Sequence, residues 1–295
     1  MLRKDSPPKR IAVTWHPQLP DARLEAIKIV EEINRISAAQ TEARSWSLYD
    51  NEFRTTLEAE PFDLVITLGG DGTMLRASKL CAPFQVPVCG INMGSFGFMM
   101  EIQKDQWQRR LPDLLRGSWR IEKRMMLKVT LERKEKQNLE WEVLNDAVIG
   151  HGSQLRPLRI HVDVSGNYLA DYVADGLIVS TATGSTAYAM AAGGPILKPE
   201  MRNILVIPVA PHLSLDRAII LDPDDVVEIQ ASSNHETIFS PDGAKGMSIL
   251  ETDRLLISAS EHSAHYVRME GEGFFYKNFI QYMQRNPSAV RKDES

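Results

Sequence analysis

The stretch Leu68-Gly69-Gly70-Asp71-Gly72-Thr73 is the strongest chemical feature of the chain. It follows the apolar run 63–68 and precedes a helical-looking run, 74–80. A strand, a glycine-rich turn and a helix start present backbone N–H groups to an anion. Glycine lets the backbone come close to a phosphate and adopt positive φ. An acidic residue in the middle is foreign to a pure phosphate cradle, because a carboxylate repels phosphate. It makes sense if Asp71 takes a proton from a hydroxyl that attacks the phosphate, or helps to hold Mg²⁺. The simpler reading is a tight turn with Asp71 as a helix cap. Two adjacent glycines and a third just after Asp71 exceed what a cap requires. The stretch is no Walker A loop, since no Gly-Lys-[Ser/Thr] follows, and it lacks the GxGxxG spacing.

Two further stretches carry similar chemistry. Asn92-Met93-Gly94-Ser95-Phe96-Gly97-Phe98 follows the run 87–92. In a doubly wound sheet ligands bind at the carboxyl ends of strands, so both glycine turns are expected at one end of one sheet. Asp175-Gly176 and then Thr181 to Tyr188 gather hydroxyls, a glycine and a helix start, which suits ribose hydroxyls and phosphates. Tyr188 could stack on a ring. Ser185 lacks the GxSxG elbow of a nucleophile. Asn145-Asp146 reads as a turn ending an apolar strand. His262 and His265 read as a surface pair rather than a metal site, and Gly271-Glu272-Gly273 is a weak signal.

These residues need elements to hold them. Residues 11–16, 45–49, 63–68 and 87–92 read as strands, and 105–116 as a helix. A helix after Asp21 is expected to bury Leu24, Ile27, Val30, Ile33 and Ile36 at three-residue spacing. Alternating strand and helix over the first ~120 residues imply an α/β layer with a parallel sheet. From Arg124 strands follow one another: 125–133, 139–150, 157–164, 168–172, 176–181, 203–208, 218–220, 225–231, 236–239 and 254–260. One helix interrupts them, at 185–192. The expected organisation is an α/β domain over 1–123, joined by a returning helix and tail in 272–295 (helical over 274–284, polar and frayed over 286–295). A β-rich, sandwich-like domain spans 124–271.

Composition bounds the rest. Apolar residues at 43% and charged residues at 25% of 295 exclude a disordered chain, and 18 Gly with 16 Pro exclude a collagen-like one. The net charge of −5 argues against a dedicated nucleic-acid binder. Residues 103–136 carry eleven Lys and Arg against five Asp and Glu, a solvated junction or an attraction for a polyanionic substrate. Cys81 and Cys89 cannot make a disulfide framework and read as core residues of a reduced, cytoplasmic protein. The N-terminus has no signal-peptide pattern, and the apolar window 177–197 is too interrupted to span a membrane.

The set of motifs closely resembles the bacterial NAD kinases, over about residues 10 to 280. The matching stretches are GGDGTMLRA (69–77), INMGSFGF (91–98), EKRMML (122–127), NDAVIG (145–150), ADGLIVSTATGSTAYAMAAGGPI (174–196) and PVAPHLSLDRAIIL (208–221). GGDGT alone also occurs in diacylglycerol and sphingosine kinases; the combination is specific. The resemblance implies phosphoryl transfer from ATP, or polyphosphate, to the 2′-hydroxyl of the adenosine ribose of NAD, with Asp71 as catalytic base. It implies a phosphate loop of Gly69, Gly70, Gly72 and Thr73. It implies NAD contacts at Gly72, Arg76, Asn145, Asp146, Arg156, Asp175, Thr186, Ala187, Tyr188 and Ala191. A divalent metal such as Mg²⁺ and a homodimer or homotetramer are implied as well, with no nucleic-acid or membrane partner. Three positions depart from the family pattern: Asp146 where Glu is usual, Ala244 where Gln is common, and Val173 where some members are basic. The competing readings are a lipid kinase of the diacylglycerol type, which should lack TATGSTAY, and a dinucleotide-binding regulatory module without catalysis, which could dispense with Asp71.

Overall fold

The computed structural model describes residues 6–37, 40–94, 97–134, 136–154, 156–212, 215–269, 271, 275–276 and 279–280. The chain divides into two compact units, one running to Lys123 and resuming at Ala264, the other spanning Arg124–Ser263.

In the first unit strands and helices alternate: β1 (Arg10–Trp15), α1 (Pro20–Ser37), β2 (Glu42–Ser47), α2 (Asn51–Ala59), β3 (Leu64–Gly69), α3 (Asp71–Cys81), β4 (Val88–Asn92), β5 (Ile102–Gln103) and α4 (Trp107–Leu115). The sheet order is β2-β1-β3-β4, and every pairing in it is parallel. Beyond β4 lies β5, with Ile91 opposite Ile102. The end of β17 (Arg254–Arg268) also reaches β4, with Tyr266 opposite Val88. β3 and β4 are buried at every residue, as a sheet covered on both faces demands.

The apolar face of α1 is not the one expected. Ala22, Ala26, Ile29 and Ile33 are buried, whereas Leu24 is 60% exposed and Ile27 and Ile36 are exposed too. A three-residue spacing falls about 60° short of a full turn at each step of a 3.6-residue helix, so it spirals away from any one face. The residues that pack follow the i, i+4, i+7, i+11 pattern. The helix α2 and the short strand Met247–Ile249 were not anticipated from the sequence.

The second unit is antiparallel. In chain order it holds most of β6 (Arg120–Glu132), then β7 (Leu139–Val143), β8 (Asp146–His151), β9 (Leu158–Val164), β10 (Asn167–Ala174), β11 (Gly176–Thr181), α5 (Tyr188–Ala191), β12 (Ile204–Val209), β13 (Ile219–Leu221), β14 (Val227–Ser232), β15 (Thr237–Pro241), β16 (Met247–Ile249) and the start of β17. One sheet runs β10-β9-β14-β17, and the other β13-β12-β11-β8-β15-β16. Ile160, Val162 and Tyr172 of the first sheet share one apolar core with Ile149, Val179, Val206 and Phe239 of the second. That is a sandwich arrangement. The expected strand 139–150 breaks at Leu144-Asn145, so Asp146 opens β8 rather than ending a strand. The expected helix 185–192 is a 3₁₀ turn, Gly184–Thr186, followed after a bend at Ala187 by α5. Of the expected tail helix, Phe275, Tyr276, Phe279 and Ile280 are helical, and the other residues of 274–284 and all of 286–295 lie outside the described residues.

Candidate active site

The strand order of the first unit reverses between β1 and β3. Loops at the carboxyl ends of those two strands leave in opposite directions and open a crevice there. Gly69-Gly70-Asp71 sits at that point. His16, just past β1, donates its backbone N–H to the Leu68 carbonyl at 3.2 Å, which ties the two strand ends together.

Gly70 is the N-cap of α3 and Asp71 its first residue. The amides of Thr73 and Met74 both donate to the Gly70 carbonyl at 3.0 Å, while Thr73 Oγ1 accepts from the Gly70 amide at 3.4 Å. A Cβ on Gly69 would lie 2.1 Å from Thr73 Oγ1, so only glycine allows this closure. Gly70 and Gly72 are different: a Cβ there would meet nothing within 4 Å, and their backbone faces open space. Thr73 is buried with its hydroxyl turned back on the loop.

The second glycine turn meets the first, as the strand arrangement predicts. The Met93 amide donates to the Gly69 carbonyl at 2.8 Å. The Phe98 amide donates to Asp71 Oδ2 at 2.8 Å and the Met99 amide to Asp71 Oδ1 at 2.9 Å. Both carboxylate oxygens are therefore gripped by backbone, and a carboxylate has acceptor capacity beyond two bonds. Gly97 makes the approach possible, because a Cβ there would stand 2.6 Å from Asp71 Oδ1. Its neighbours Ser95 and Phe96 lie outside the described residues. Arg76, further along α3, is exposed and lays its guanidinium 4.1 Å from the centroid of the Tyr49 ring, which meets His16 edge-on.

The second unit holds the other group of candidate residues. Asn145 sits in the break between β7 and β8. Its carbonyl accepts from the Thr181 amide at 2.9 Å and from Ser180 Oγ at 3.0 Å. A Cβ on Gly184 would lie 2.1 Å from that carbonyl, so Gly184 lets the TATGSTAY turn close on Asn145. Thr186 donates its hydroxyl to the Thr183 carbonyl at 3.3 Å, and the Ala187 amide donates to the Gly184 carbonyl at 2.8 Å. Tyr188, 46% exposed, and the exposed Ala191 are on α5. Asp175 stands between β10 and β11, its amide donating to the Val209 carbonyl at 2.9 Å. Arg156 is exposed in the loop before β9.

The environment of Asp146 is unusual. It is 5% exposed. Burial, with the Asp242 carboxylate beside it, pushes its carboxyl up to about 7, and the Tyr188 backbone N–H pulls the other way. Asp242 itself gathers three amides, from Leu144, Asn145 and Asp146, at 2.7 to 3.3 Å. Sequence reasoning missed Asp242 as an organiser of this site. The signal was the Pro241-Asp242-Gly243 turn, where Asp242 has φ +49. Asn145 Oδ1 and Thr183 Oγ1 are buried without a hydrogen-bond partner among the described residues.

The remaining candidates play structural parts. Ser185 is buried, donates to the Ala182 carbonyl at 2.7 Å and accepts from the Leu197 amide at 3.0 Å. His262 meets Glu142 Oε1 at 3.3 Å, while His265 meets the Gln85 carbonyl at 3.0 Å. Three residues apart on a strand, the two histidines point to opposite faces. Cys81 and Cys89 are buried, and burial pushes both thiols up.

The ATP-NAD kinase N-terminal domain model matches residues 22–119, and the ATP-NAD kinase C-terminal domain model matches residues 144–269. An NAD kinase of Dehalococcoides mccartyi is 32% identical over 283 residues, covering 96% of this chain and 98% of that protein. The chain belongs to the NAD kinase family. The NAD kinase of Thermoanaerobacter sp. is 37% identical over 214 residues, or 72% of this chain and 76% of that one. Among solved structures, yeast NADH kinase complexed with NADH superposes with a TM-score of 0.82 at 21% identity, covering 98% of this chain and 91% of that one. An NAD kinase from Archaeoglobus fulgidus in complex with ATP gives 0.70 at 23% identity, covering 93% and 98%. The fold of the NAD kinases is thus the fold of this chain: a parallel α/β unit and an antiparallel β unit. No helix among the described residues is long and apolar enough to cross a membrane.

Proposed function

We propose that the chain transfers the terminal phosphoryl group of ATP to the 2′-hydroxyl of the adenosine ribose of NAD, and that Asp71 is the general base. The hydroxyl oxygen forms the new P–O bond and its proton passes to the Asp71 carboxylate. The bond to the leaving phosphate breaks, and the products are NADP and ADP. The observation that carries this reading is the Asp71 carboxylate, clamped by the Phe98 and Met99 amides at the strand-order reversal. Phosphoryl transfer needs positioning and charge stabilisation more than covalent chemistry, and a fixed carboxylate beside open glycine backbone supplies both.

In the same reading Gly69, Gly70, Gly72 and Thr73 form the loop that presents backbone to phosphates, with Gly69 and Thr73 closing on each other to shape it. Gly72, Arg76, Asn145, Asp146, Arg156, Asp175, Thr186, Ala187, Tyr188 and Ala191 hold the dinucleotide. Support for the nucleotide half comes from Asn145 Oδ1 and Thr183 Oγ1, whose buried acceptor capacity a ribose hydroxyl or an adenine amine would complete. Mg²⁺ is the ordinary counter-ion of the donor. Among the described residues no group of three or more His, Cys, Asp or Glu could hold a metal by itself. The ion would therefore be held chiefly by phosphate oxygens and water, with one or two carboxylates from the protein, which is how Mg²⁺ is usually bound. A homodimer or homotetramer belongs to the same proposal.

The test is Asp71→Asn, compared with the wild-type chain on NAD, ATP and Mg²⁺ and read by an NADP-specific dehydrogenase. Loss of a general base costs about 10²- to 10⁴-fold in turnover. The variant is expected to fold and bind NAD while losing turnover on that scale. Full activity in Asp71→Asn would remove the base assignment. NADP formed by neither protein would overturn the reaction.

A further inference from the structure

The amides that grip Asp71 come from irregular backbone. Residues 97–101 are neither helix nor strand, so no regular ladder fixes where the Phe98 and Met99 N–H groups point. Something outside the segment must hold it. On its inner side Arg268, at the end of β17, donates from Nη1 to the Met99 carbonyl at 3.2 Å and to Glu101 Oε2 at 2.9 Å. The next amide, Met269, donates to Glu101 Oε1 at 2.7 Å. The other nitrogen of the fork, Nη2, stands 3.2 Å from Glu122 Oε1. Arg268 is 3% exposed, and Glu101 and Glu122 are buried beside it. Met99 therefore donates its N–H to Asp71 and accepts from Arg268 at its carbonyl, two groups of adjacent peptide units joined at the Met99 Cα.

We infer that Arg268 is a positioning residue for Asp71, acting through Met99 and Glu101, although it touches no reacting group. The inference rests on the reading of Asp71 as the base. A buried ion cluster is weak support for stability, since well-packed apolar residues of the same volume often serve as well or better. What a guanidinium adds is direction. Its rigid planar fork reaches a carbonyl and a carboxylate with one nitrogen and a second carboxylate with the other. A lysine ammonium is a single point of charge and cannot reproduce that span. The Glu122–Arg268–Met99 line therefore sets the angle at which two N–H groups meet the two oxygens of Asp71. An error of about 1 Å at a reacting group can lower turnover about 10²-fold.

The test uses the full chain and four proteins: wild type, Arg268→Lys, Asp71→Asn and the double variant. Arg268→Lys is expected to lower kcat by about 10- to 100-fold with KM for NAD and ATP held within about twofold. Its acid limb of kcat against pH should move to higher pH, because the carboxylate loses well-aimed N–H donors. On the Asp71→Asn background the same change should cost nothing further, since the two residues act as one unit. A wild-type kcat and pH profile in Arg268→Lys would overturn the inference. So would an undiminished loss on the Asp71→Asn background. If Asp71→Asn itself runs at the wild-type rate, the base reading fails instead, and the two failures are told apart. Should Arg268→Lys not fold, by circular dichroism and NAD titration, Glu101→Gln decides by the same criteria. It keeps the shape of the cluster, removes the charge that aims Arg268, and leaves one oxygen where two accept from Arg268 and the Met269 amide.

Discussion

Replacing Asp146 by Asn should change how stability depends on pH. Asp146 is buried, faces the Asp242 carboxylate, and has its carboxyl pushed from the ordinary 3.8 up to about 7. Below the ordinary value the group carries a proton folded or unfolded, and it costs nothing. Between about 4 and 7 the folded chain keeps the proton that the unfolded chain has released, so stability falls as pH rises. Above about 7 the buried group must ionise and the penalty is complete. Three pH units at about 1.36 kcal/mol each come to on the order of 4 kcal/mol. Between pH 5 and pH 8 about two of those units remain, or ~3 kcal/mol. Asn cannot ionise, yet its Oδ1 can still accept the Tyr188 amide. Urea unfolding of wild type and Asp146→Asn at pH 5 and pH 8 reads the effect directly. The variant should gain on the wild type by about 3 kcal/mol over that interval, the other titrating groups cancelling. Equal pH dependence in the two proteins would refute the argument that burial and Asp242 together hold the proton on.

Two other substitutions probe the two glycines on which the candidate sites close. Gly97→Ala places a Cβ 2.6 Å from Asp71 Oδ1. It should lower kcat about 10²-fold with little change in melting temperature, and steady-state kinetics beside a thermal melt will show whether it does. Gly184→Ala drives a Cβ to 2.1 Å from the Asn145 carbonyl. Overpacking of this kind costs about 1–3 kcal/mol, and NAD affinity should weaken with it. A wild-type melt and NAD titration would show that the close approach imposes no constraint.

Local sequence was enough for much of this protein. A continuous apolar run ending in Gly-Gly-Asp-Gly is a buried strand feeding a helix through a tight loop, because each part has its own short-range cause. The meeting of the two glycine turns was legible too, since parallel strands put all their carboxyl ends on one side. The Met93 amide on the Gly69 carbonyl is the outcome of that rule. The buried face of α1 was misread because a three-residue spacing resembles helical periodicity without matching it. The strand break at Asn145 was hidden for another reason. Nothing near it in sequence signals that Asp242, nearly a hundred residues on, will take the amides of Leu144, Asn145 and Asp146.

Residue types and their order along the chain determined the family, the alternation of elements and the identity of the acid at the glycine turn. Only the tertiary structure decided what surrounds each acid. Asp71 lies against backbone amides, and Asp146 is buried beside a second carboxylate. A side chain's type is local, but the dielectric, the donors and the charges it meets come from segments far away in sequence, as Arg268 does to Met99.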